Sequence, residues 1–563
     1  MSDHKTNKSI PALRIADPHE ADSFYEKYYN QPFYIDKTLL IKELFKKYHV
    51  LIAAPSRFGK SLNMNMMRRF VEIEVDKEGS PIELDVDEDN RCLKEVQPTS
   101  RNFKMFQGKN IFKEKEIMFE HFGKYPTIYV DFSEMTGENF KQVVDALKQV
   151  INRAFRKHRY LQHNPWWDYS NCNKKTFMKY YDTEECMSLS LVEIKAGLRI
   201  LSEILHDYYN REVFVFIDEF DVPVNSMVYD NDVKPRHRKQ TIKLIQDIRN
   251  LLKGNEYVAR SLSNACHQLS GILSRSANNV TICPFLQNHL FTKFYGFEET
   301  EVKNLLEKVG LIEGFNNIKA TYNGYKTNDS HNIDIYSPWA ISKYICNKTL
   351  GVYWSAEIPP GIEEGIAHFK IRPKIAKIMS GESVRIKYIP KLHFKDVQRL
   401  SEVVCRSDMK DNDVDLFLQF LYELGFFHPT ECGGNYLYLA LPNKAVYRII
   451  HPVLNRHDMI KKYYNHSPKL IRNFIESLKN MARSCNENSA RRLAKSIDVL
   501  FKKGRRTPSS EYEFHYVLYG YMLQEFGSVT CETIASNRNR CDTLVWIEEL
   551  HAVAVFSGSL YQQ

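Results

Sequence analysis

An apolar run of strand length, His49 to Ala53, gives way to the short loop Ala54 to Ser61. The stretch Leu62 to Val71 follows, with Met66, Met67 and Phe70 at helical spacing. Thr127 to Phe132 and Val213 to Ile217 read as further strands, and the second is apolar throughout, as a strand covered on both faces must be. His267 to Gly271 reads as a shorter strand ending in a polar group. Strands alternating with helices predict an open parallel sheet with helices on both faces, whose ligands sit at the carboxyl ends of the strands. Farther on, Val414 to Leu424 is apolar at helical spacing. Gly425-Phe426-Phe427 and Tyr436 to Leu441 follow, with Gly433-Gly434 as a turn. Helix, strand, glycine turn and strand suggest a winged-helix-like module. Two sets of residues recur three and four apart: Leu470, Ile471, Phe474, Leu478 and Met481, then Leu493, Ile497, Leu500 and Phe501. They predict two amphipathic helices. Glu511 to Leu518 opens another helix, and Val529 to Thr533 and Arg540 to Trp546 look like strands.

Length and composition narrow the class. At roughly 150 residues per domain, 563 residues imply three or four domains. With 43% hydrophobic and 26% charged residues the chain can bury several cores and is not disordered throughout. No apolar run approaches the ~20 residues of a membrane-spanning helix, and Met1 to Ile10 lacks the apolar centre of a secretion signal. The expectation is an intracellular protein, cytoplasmic or nuclear, with no membrane partner. Eleven cysteines are scattered without a CxxC pair, which argues for thiols in a reducing compartment and against disulfides or a structural zinc.

The net charge of +9 is concentrated in one place. Arg456 to Arg506 holds fourteen Lys or Arg against four acids, a local +10 that leaves the remainder near −1. These charges would fall on the outer faces of the two amphipathic helices, either as a solvated surface or as a binding surface for DNA or RNA phosphates. Glu72 to Glu95 has the opposite bias and little periodicity, and reads as a mobile acidic loop.

The chemistry concentrates in Ala54-Pro55-Ser56-Arg57-Phe58-Gly59-Lys60-Ser61, which fits the phosphate-loop pattern GxxxxGK[ST] everywhere except at Ala54. Gly59 permits close backbone approach to phosphates, Lys60 carries charge to the β- and γ-phosphates, and Ser61 offers a hydroxyl to Mg²⁺. The helix starting there adds N–H groups and the positive end of its dipole. Ala54 need only turn the chain. The strand Val213 to Ile217 ends in Asp218-Glu219, where Asp218 can hold the metal and Glu219 can orient or deprotonate the attacking water. Ser270 is a candidate γ-phosphate sensor or water-positioning residue, or a plain turn residue before Gly271. Arg57 and Arg275 are candidates for charge stabilisation during phosphoryl transfer.

Three segments together resemble the AAA-ATPase-like family: Phe33 to Thr38, Pro55 to Asn63, and Phe216 to Pro223. Phe294-Tyr295-Gly296-Phe297, Tyr322-Asn323-Gly324-Tyr325, Tyr336-Ser337-Pro338-Trp339 and Tyr353-Trp354 extend the likeness over nearly the whole chain, and these aromatic residues are read as packing rather than stacking surfaces. The resemblance implies a P-loop NTPase parallel sheet with helices on both faces, followed by a winged-helix-like module and a degenerate nuclease-like α/β domain of the PD-(D/E)XK superfamily. The boundaries are an N-terminal tail to residue 27, the ATPase-like domain 28–345, a helical and winged-helix-like module 346–455, and basic helices with a degenerate or truncated nuclease-like domain 456–563. It also implies a nucleotide site formed by Pro55, Ser56, Arg57, Phe58, Gly59, Lys60, Ser61 and Leu62. Asp36 would lie near the base, although a simple helix cap explains Asp36 and Thr38 equally. Glu513 and Asp542 match two acidic positions of the nuclease-like fold. The strand that should supply a further acid and a lysine reads Ala552 to Ser557 and has neither, so that site is expected to be dead.

The resulting expectation is an ATP-binding protein, an Mg²⁺-dependent ATPase coupling nucleotide state to its C-terminal domains. Its partners would be ATP and, through residues 456–506, DNA or RNA, with an oligomer left open. A non-hydrolysing interaction protein and a residual metal-dependent nuclease are the rival readings.

Overall fold

The computed structural model describes residues 29, 34–76, 78–84, 86–87, 92–93, 100–170, 173–230, 233–267, 280–287, 289–327, 333–353, 358–390, 392, 396, 398–400, 409–433, 435–456, 460–461, 464–484, 486–504, 507–508, 511–526, 529–536, 540–547 and 552–556. The chain divides into two compact units. The first comprises 1–354, 389–401 and 420–426; the second comprises 355–388, 402–419 and 427–563. No helix among the described residues is long and apolar enough to cross a membrane.

The first unit is built on helix α1 (Leu40–Phe45), β1 (His49–Ala53), α2 (Lys60–Val71), β2 (Thr127–Asp131), α3 (Phe140–Lys157), α4 (Leu191–Tyr209), β3 (Val213–Asp218), α5 (Val222–Tyr229), α6 (Pro235–Lys253), β4 (Val258–Ala265) and β5 (Val280–Pro284). The five strands form one parallel sheet in the order β2-β3-β4-β1-β5, flanked by helices. Every residue of β3 is buried, and so is β1 beyond His49, which is why both read as continuous apolar runs. Helix α4 is set by a reciprocal cap, Ser190 with Glu193, and is stopped by Asn210 in the left-handed conformation.

Of the strand expected at His267 to Gly271, only His267 is among the described residues; the strand before it, β4, spans Val258–Ala265 and ends before His267. Arg260, Ser261, Ser263 and Asn264 interrupt its apolar pattern, so a central strand was hidden by polar residues. Ser270 and Arg275 lie outside the described residues. The acidic stretch after α2 also carries pairing, with bridges Glu72 to Tyr125 and Val75 to Pro81 and a short antiparallel pair, Val86–Asp87 with Cys92–Leu93. Glu74 there is not a solvated loop acid; its carboxylate accepts from Ser100 Oγ and from the amides of Arg101 and Asn102.

Beyond β5, strands β6 (Phe297–Glu298), β7 (Tyr325–Lys326) and β8 (Asp334–Tyr336) form a small antiparallel sheet in the order β6-β8-β7. Helices α7 (Glu299–Lys308), α8 (Phe315–Tyr322) and α9 (Pro338–Asn347) accompany it. Ser337 caps α9 by accepting from the Ala340 amide, and Pro338 at the first turn lacks the N–H that would be orphaned there.

The second unit holds α10 (Pro360–Ala367), α11 (Arg372–Met379), β9 (Val384–Lys387), most of α12 (Asp411–Glu423), β10 (His428–Gly433), β11 (Tyr436–Ala440) and α13 (Lys444–Asn455). The expected helix and hairpin are present, and β9 adds a third antiparallel strand in the order β9-β11-β10. The two basic amphipathic helices are α14 (Pro468–Arg483), burying Phe474, Ile475 and Leu478, and α15 (Glu487–Lys502), burying Leu500 and Phe501. Lys469, Arg472, Arg483, Arg491, Arg492 and Lys495 are exposed. Helix α16 (Glu511–Phe526) leads into an antiparallel meander of β12 (Val529–Ser536), β13 (Arg540–Ile547) and β14 (Ala552–Phe556). Glu513 falls on α16 and Asp542 on β13, opposite Ile534.

Candidate functional site

Strand β1 ends at Ala53, and the chain folds over the carboxyl edge of the sheet before α2 begins. Arg57 (φ 74°) and Gly59 (φ 84°) both adopt left-handed backbone, and Gly59 is the residue that opens α2. A side chain at Gly59 would touch no atom, so glycine is required there by the backbone angle and not by space. Phe58 anchors the loop from below. It is fully buried against Phe285 and Tyr325, with ring centroids 4.7 and 5.2 Å away.

Lys60 is buried and turned into its own loop, its Nζ donating to Ala54 O at 2.8 Å and Pro55 O at 3.2 Å, with Cys266 Sγ at 3.5 Å. Burial works against its charge, but neighbouring groups outweigh burial and hold the ammonium above the ordinary lysine range. Burial pushes the Cys266 thiol up to about 12, so at neutral pH it is uncharged, and Glu219, Asp221 and Asp218 are the groups that keep Lys60 protonated. Glu219, Asp221 and Cys266 offer ligand atoms within 4.8 Å of one another, beside the Lys60 ammonium.

Asp218, the last residue of β3, is 2% exposed. The Ser61 hydroxyl donates to its carboxylate. Asn264 Nδ2 and the Glu219 amide both donate to Asp218 Oδ1, each at 3.1 Å. Burial raises the Asp218 carboxyl above its usual value, and the Ser61 hydrogen bond opposes that. Glu219 follows in left-handed conformation (φ 49°), and burial pushes its carboxyl up to about 7 against the pull of Lys60.

Asp221 organises the turn after β3. Its Oδ2 accepts from the amides of Cys266 and His267 at 2.9 Å each, from Asn225 Nδ2 at 2.6 Å, and lies 3.1 Å from His267 Nδ1. Burial would raise this carboxyl, but its hydrogen bonds with His267 and the nearby Lys60 ammonium hold it below the carboxylate norm. His267 is itself buried and stacks on Phe420 at 3.9 Å. Strand β4 ties both halves of the site together: Ala54 N donates to Ala265 O and Phe220 N to Asn264 O.

A cavity of about 370 Å³ opens above this arrangement, within the size range of small-molecule sites. Of the residues expected to bind a nucleotide, Ser56 to Leu62 line it, as does Glu219. Pro55 contributes its carbonyl to Lys60 instead, and Asp218 lies buried beneath Ser61. Asp36 is not among the lining residues. Its Oδ1 accepts from the Thr38 amide and hydroxyl and its Oδ2 from the Asn110 amide; the N-cap of α1 is Leu39 and carries no side-chain cap bond, so Asp36 ties the turn before the helix to the Asn110 segment and does not cap the helix. The neighbouring Lys37 lines the cavity in its place, its Nζ 2.6 Å from Glu301 Oε1 and from Lys293 O. The aromatic residues read as packing divide into two groups. Tyr295, Tyr322, Tyr325 and Tyr336 are buried away from the cavity, whereas Phe294, buried as well, lines it together with Phe297 and Trp339. Gly296 between them allows β6 to approach β8, because a Cβ there would lie 2.1 Å from Ile335 Cγ2. Sequence reasoning missed Asn264 and Asp221, and within the segment Asp36-Lys37-Thr38 it singled out Asp36 where Lys37 lines the cavity. A polar residue near the end of a central strand was the available signal for Asn264, but β4 had not been recognised.

Strand, glycine-bearing loop and helix, with a serine at the helix start bonded to a carboxylate on another strand of a parallel sheet, are consistent with a P-loop-like nucleotide-binding core. The family model described as "Predicted AAA-ATPase" matches residues 18–83 and 92–266, ending just past β4. The N-terminal region is therefore similar to a family whose description points to an ATP-binding ATPase. No curated protein matches the chain.

Proposed function

We propose that the chain is an ATP-binding, Mg²⁺-dependent ATPase. The observation that carries this reading is the convergence of Ser61 and Glu219, which line the cavity, with Asp218 buried beneath Ser61, at one loop, although Ser61 and Asp218 come from elements separated by an intervening strand. Amides at the start of α2 and the Lys60 ammonium would receive the triphosphate. The donor set fits a hard divalent ion, since a serine hydroxyl and a buried carboxylate are oxygen ligands already bonded to each other, and Ser61 and Asp218 would hold Mg²⁺. The ion, when bound, supplies charge neutralisation at the β- and γ-phosphates. Glu219, with its carboxyl near 7, is poised to take a proton from water at neutral pH. Arg57, on the loop itself, would add positive charge beside the transferring group.

Exposed Lys and Arg on α14 and α15 support phosphate-backbone binding as the role of the basic segment. The C-terminal meander is read as a nuclease-like remnant without turnover, because β14 offers neither acid nor lysine. Titration calorimetry with ATP on wild type and Lys60→Ala tests the central claim: micromolar binding in the first and none in the second is expected. Equal affinity in both would end the ATPase reading. A chain that binds ATP yet releases no phosphate would favour the non-hydrolysing rival.

A further inference from the structure

Arg57 is held from outside its own loop. Its guanidinium carbon lies 4.2 Å over the Trp339 ring, and its carbonyl accepts a hydrogen bond from Ser337 Oγ at 3.2 Å. Both partners come from the N-terminal end of α9, a helix beyond the segment that matches the family model. The residue so gripped is one of two in the loop with left-handed backbone, and the only one of these that is not glycine; its conformation is disfavoured for an arginine unless neighbours fix it. Arg57, Trp339, Lys60 and Ser61 line the same cavity.

Resting on the ATPase reading, we propose that Trp339 and Ser337 are positioning residues that hold the Arg57 guanidinium over the phosphate site, so that this chain carries its transition-state arginine in cis. The backbone bond fixes where the Arg57 side chain leaves the loop, and the indole face fixes where its planar cation points. An arginine needed most as charge develops on the transferring group alters the rate more than it alters ground-state binding.

Steady-state phosphate release by the full-length chain, with ATP and Mg²⁺, tests this on wild type, Arg57→Ala, Trp339→Leu, Trp339→Phe and the Arg57→Ala/Trp339→Leu pair. Trp339→Leu should lower kcat about five- to tenfold with KM within about twofold, while Trp339→Phe, which keeps an aromatic face, should stay within about twofold of wild type. The double variant should be no slower than Arg57→Ala alone. An active wild type whose kcat is unchanged by Trp339→Leu overturns the proposal, and so does a loss that multiplies that of Arg57→Ala. Equal losses in Leu and Phe variants accompanied by a lowered melting temperature would assign Trp339 to packing and also overturn it. A wild type that binds ATP but has no turnover removes the ATPase reading and this inference together, an outcome distinct from all the others.

Discussion

The Ser61 hydroxyl donates to the Asp218 carboxylate, joining the first turn of α2 to the end of a strand that is not its neighbour in the sheet. Two segments separated by more than 150 residues in sequence thus meet at a single hydrogen bond, and Asn264, from the strand between them, completes the carboxylate's coordination by donors.

Asn264→Ala removes one donor from Asp218 while leaving Ser61 and the Glu219 amide in place. Partners that orient a metal-holding group are typically worth 10- to 100-fold in metal affinity. The Mg²⁺ concentration giving half-maximal phosphate release should therefore rise by about that factor, which a magnesium titration at saturating ATP measures. An unchanged midpoint would remove Asn264 from the site.

Glu219→Gln keeps the size and burial of the side chain but cannot accept a proton from water. Phosphate release should fall about 10²- to 10⁴-fold with ATP affinity within a few-fold of wild type. Calorimetry and single-turnover assays on the same preparation separate binding from chemistry, and wild-type turnover would show that the base lies elsewhere.

Asp221→Asn weakens a carboxylate that accepts from two backbone amides, Asn225 and His267. Loss of charge-assisted bonds in a buried site should cost about 2–3 kcal/mol in urea unfolding of the first unit. Stability within about 0.5 kcal/mol of wild type would mean the network is replaceable.

His466 in the second unit is 2% exposed, shares its Nδ1 with the Tyr521 hydroxyl at 2.7 Å, and is pulled down to about 4 by burial. Its ordinary value is near 6.5, so below that pH the unfolded chain takes up a proton that the folded chain refuses. The contribution is complete above about pH 6.5 and shrinks as the pH falls toward 4, by about 3 kcal/mol in all. His158 and His451 are lowered in the same sense, so the measurement is a difference. The unfolding free energy of His466→Phe should depend less steeply on pH than that of wild type between pH 7 and 5, and parallel curves would refute the assignment.

What could be read from sequence follows from how each element earns its burial. Strands β1 and β3 were visible because both faces are covered, and Gly59-Lys60-Ser61 because its chemistry depends on contiguous residues. Strand β4 was not visible: Arg260, Ser261 and Ser263 sit in a central strand, and its role lies in main-chain bonds from Ala54 and Phe220 that no side-chain pattern encodes. Asp36 stayed ambiguous in sequence because an aspartate beside a threonine before a helix has more than one use, and its bond to the distant Asn110 amide depends on a neighbour the sequence does not place nearby. Trp339 was read as packing because nothing in Tyr336-Ser337-Pro338-Trp339 reveals that the helix start lies against Arg57.

Because β4 is inserted between β1 and β3, the phosphate loop and its acidic partner are synthesised long before the strand that unites them. Until Val258 to Ala265 has emerged from the ribosome, β1 and β3 each present an unpaired backbone edge. The loop and its acidic partner are thus joined only once the chain has passed Ala265, a little before its midpoint, and β1 waits about two hundred residues for that neighbour, from Ala53 to Val258, whereas β3 waits about forty.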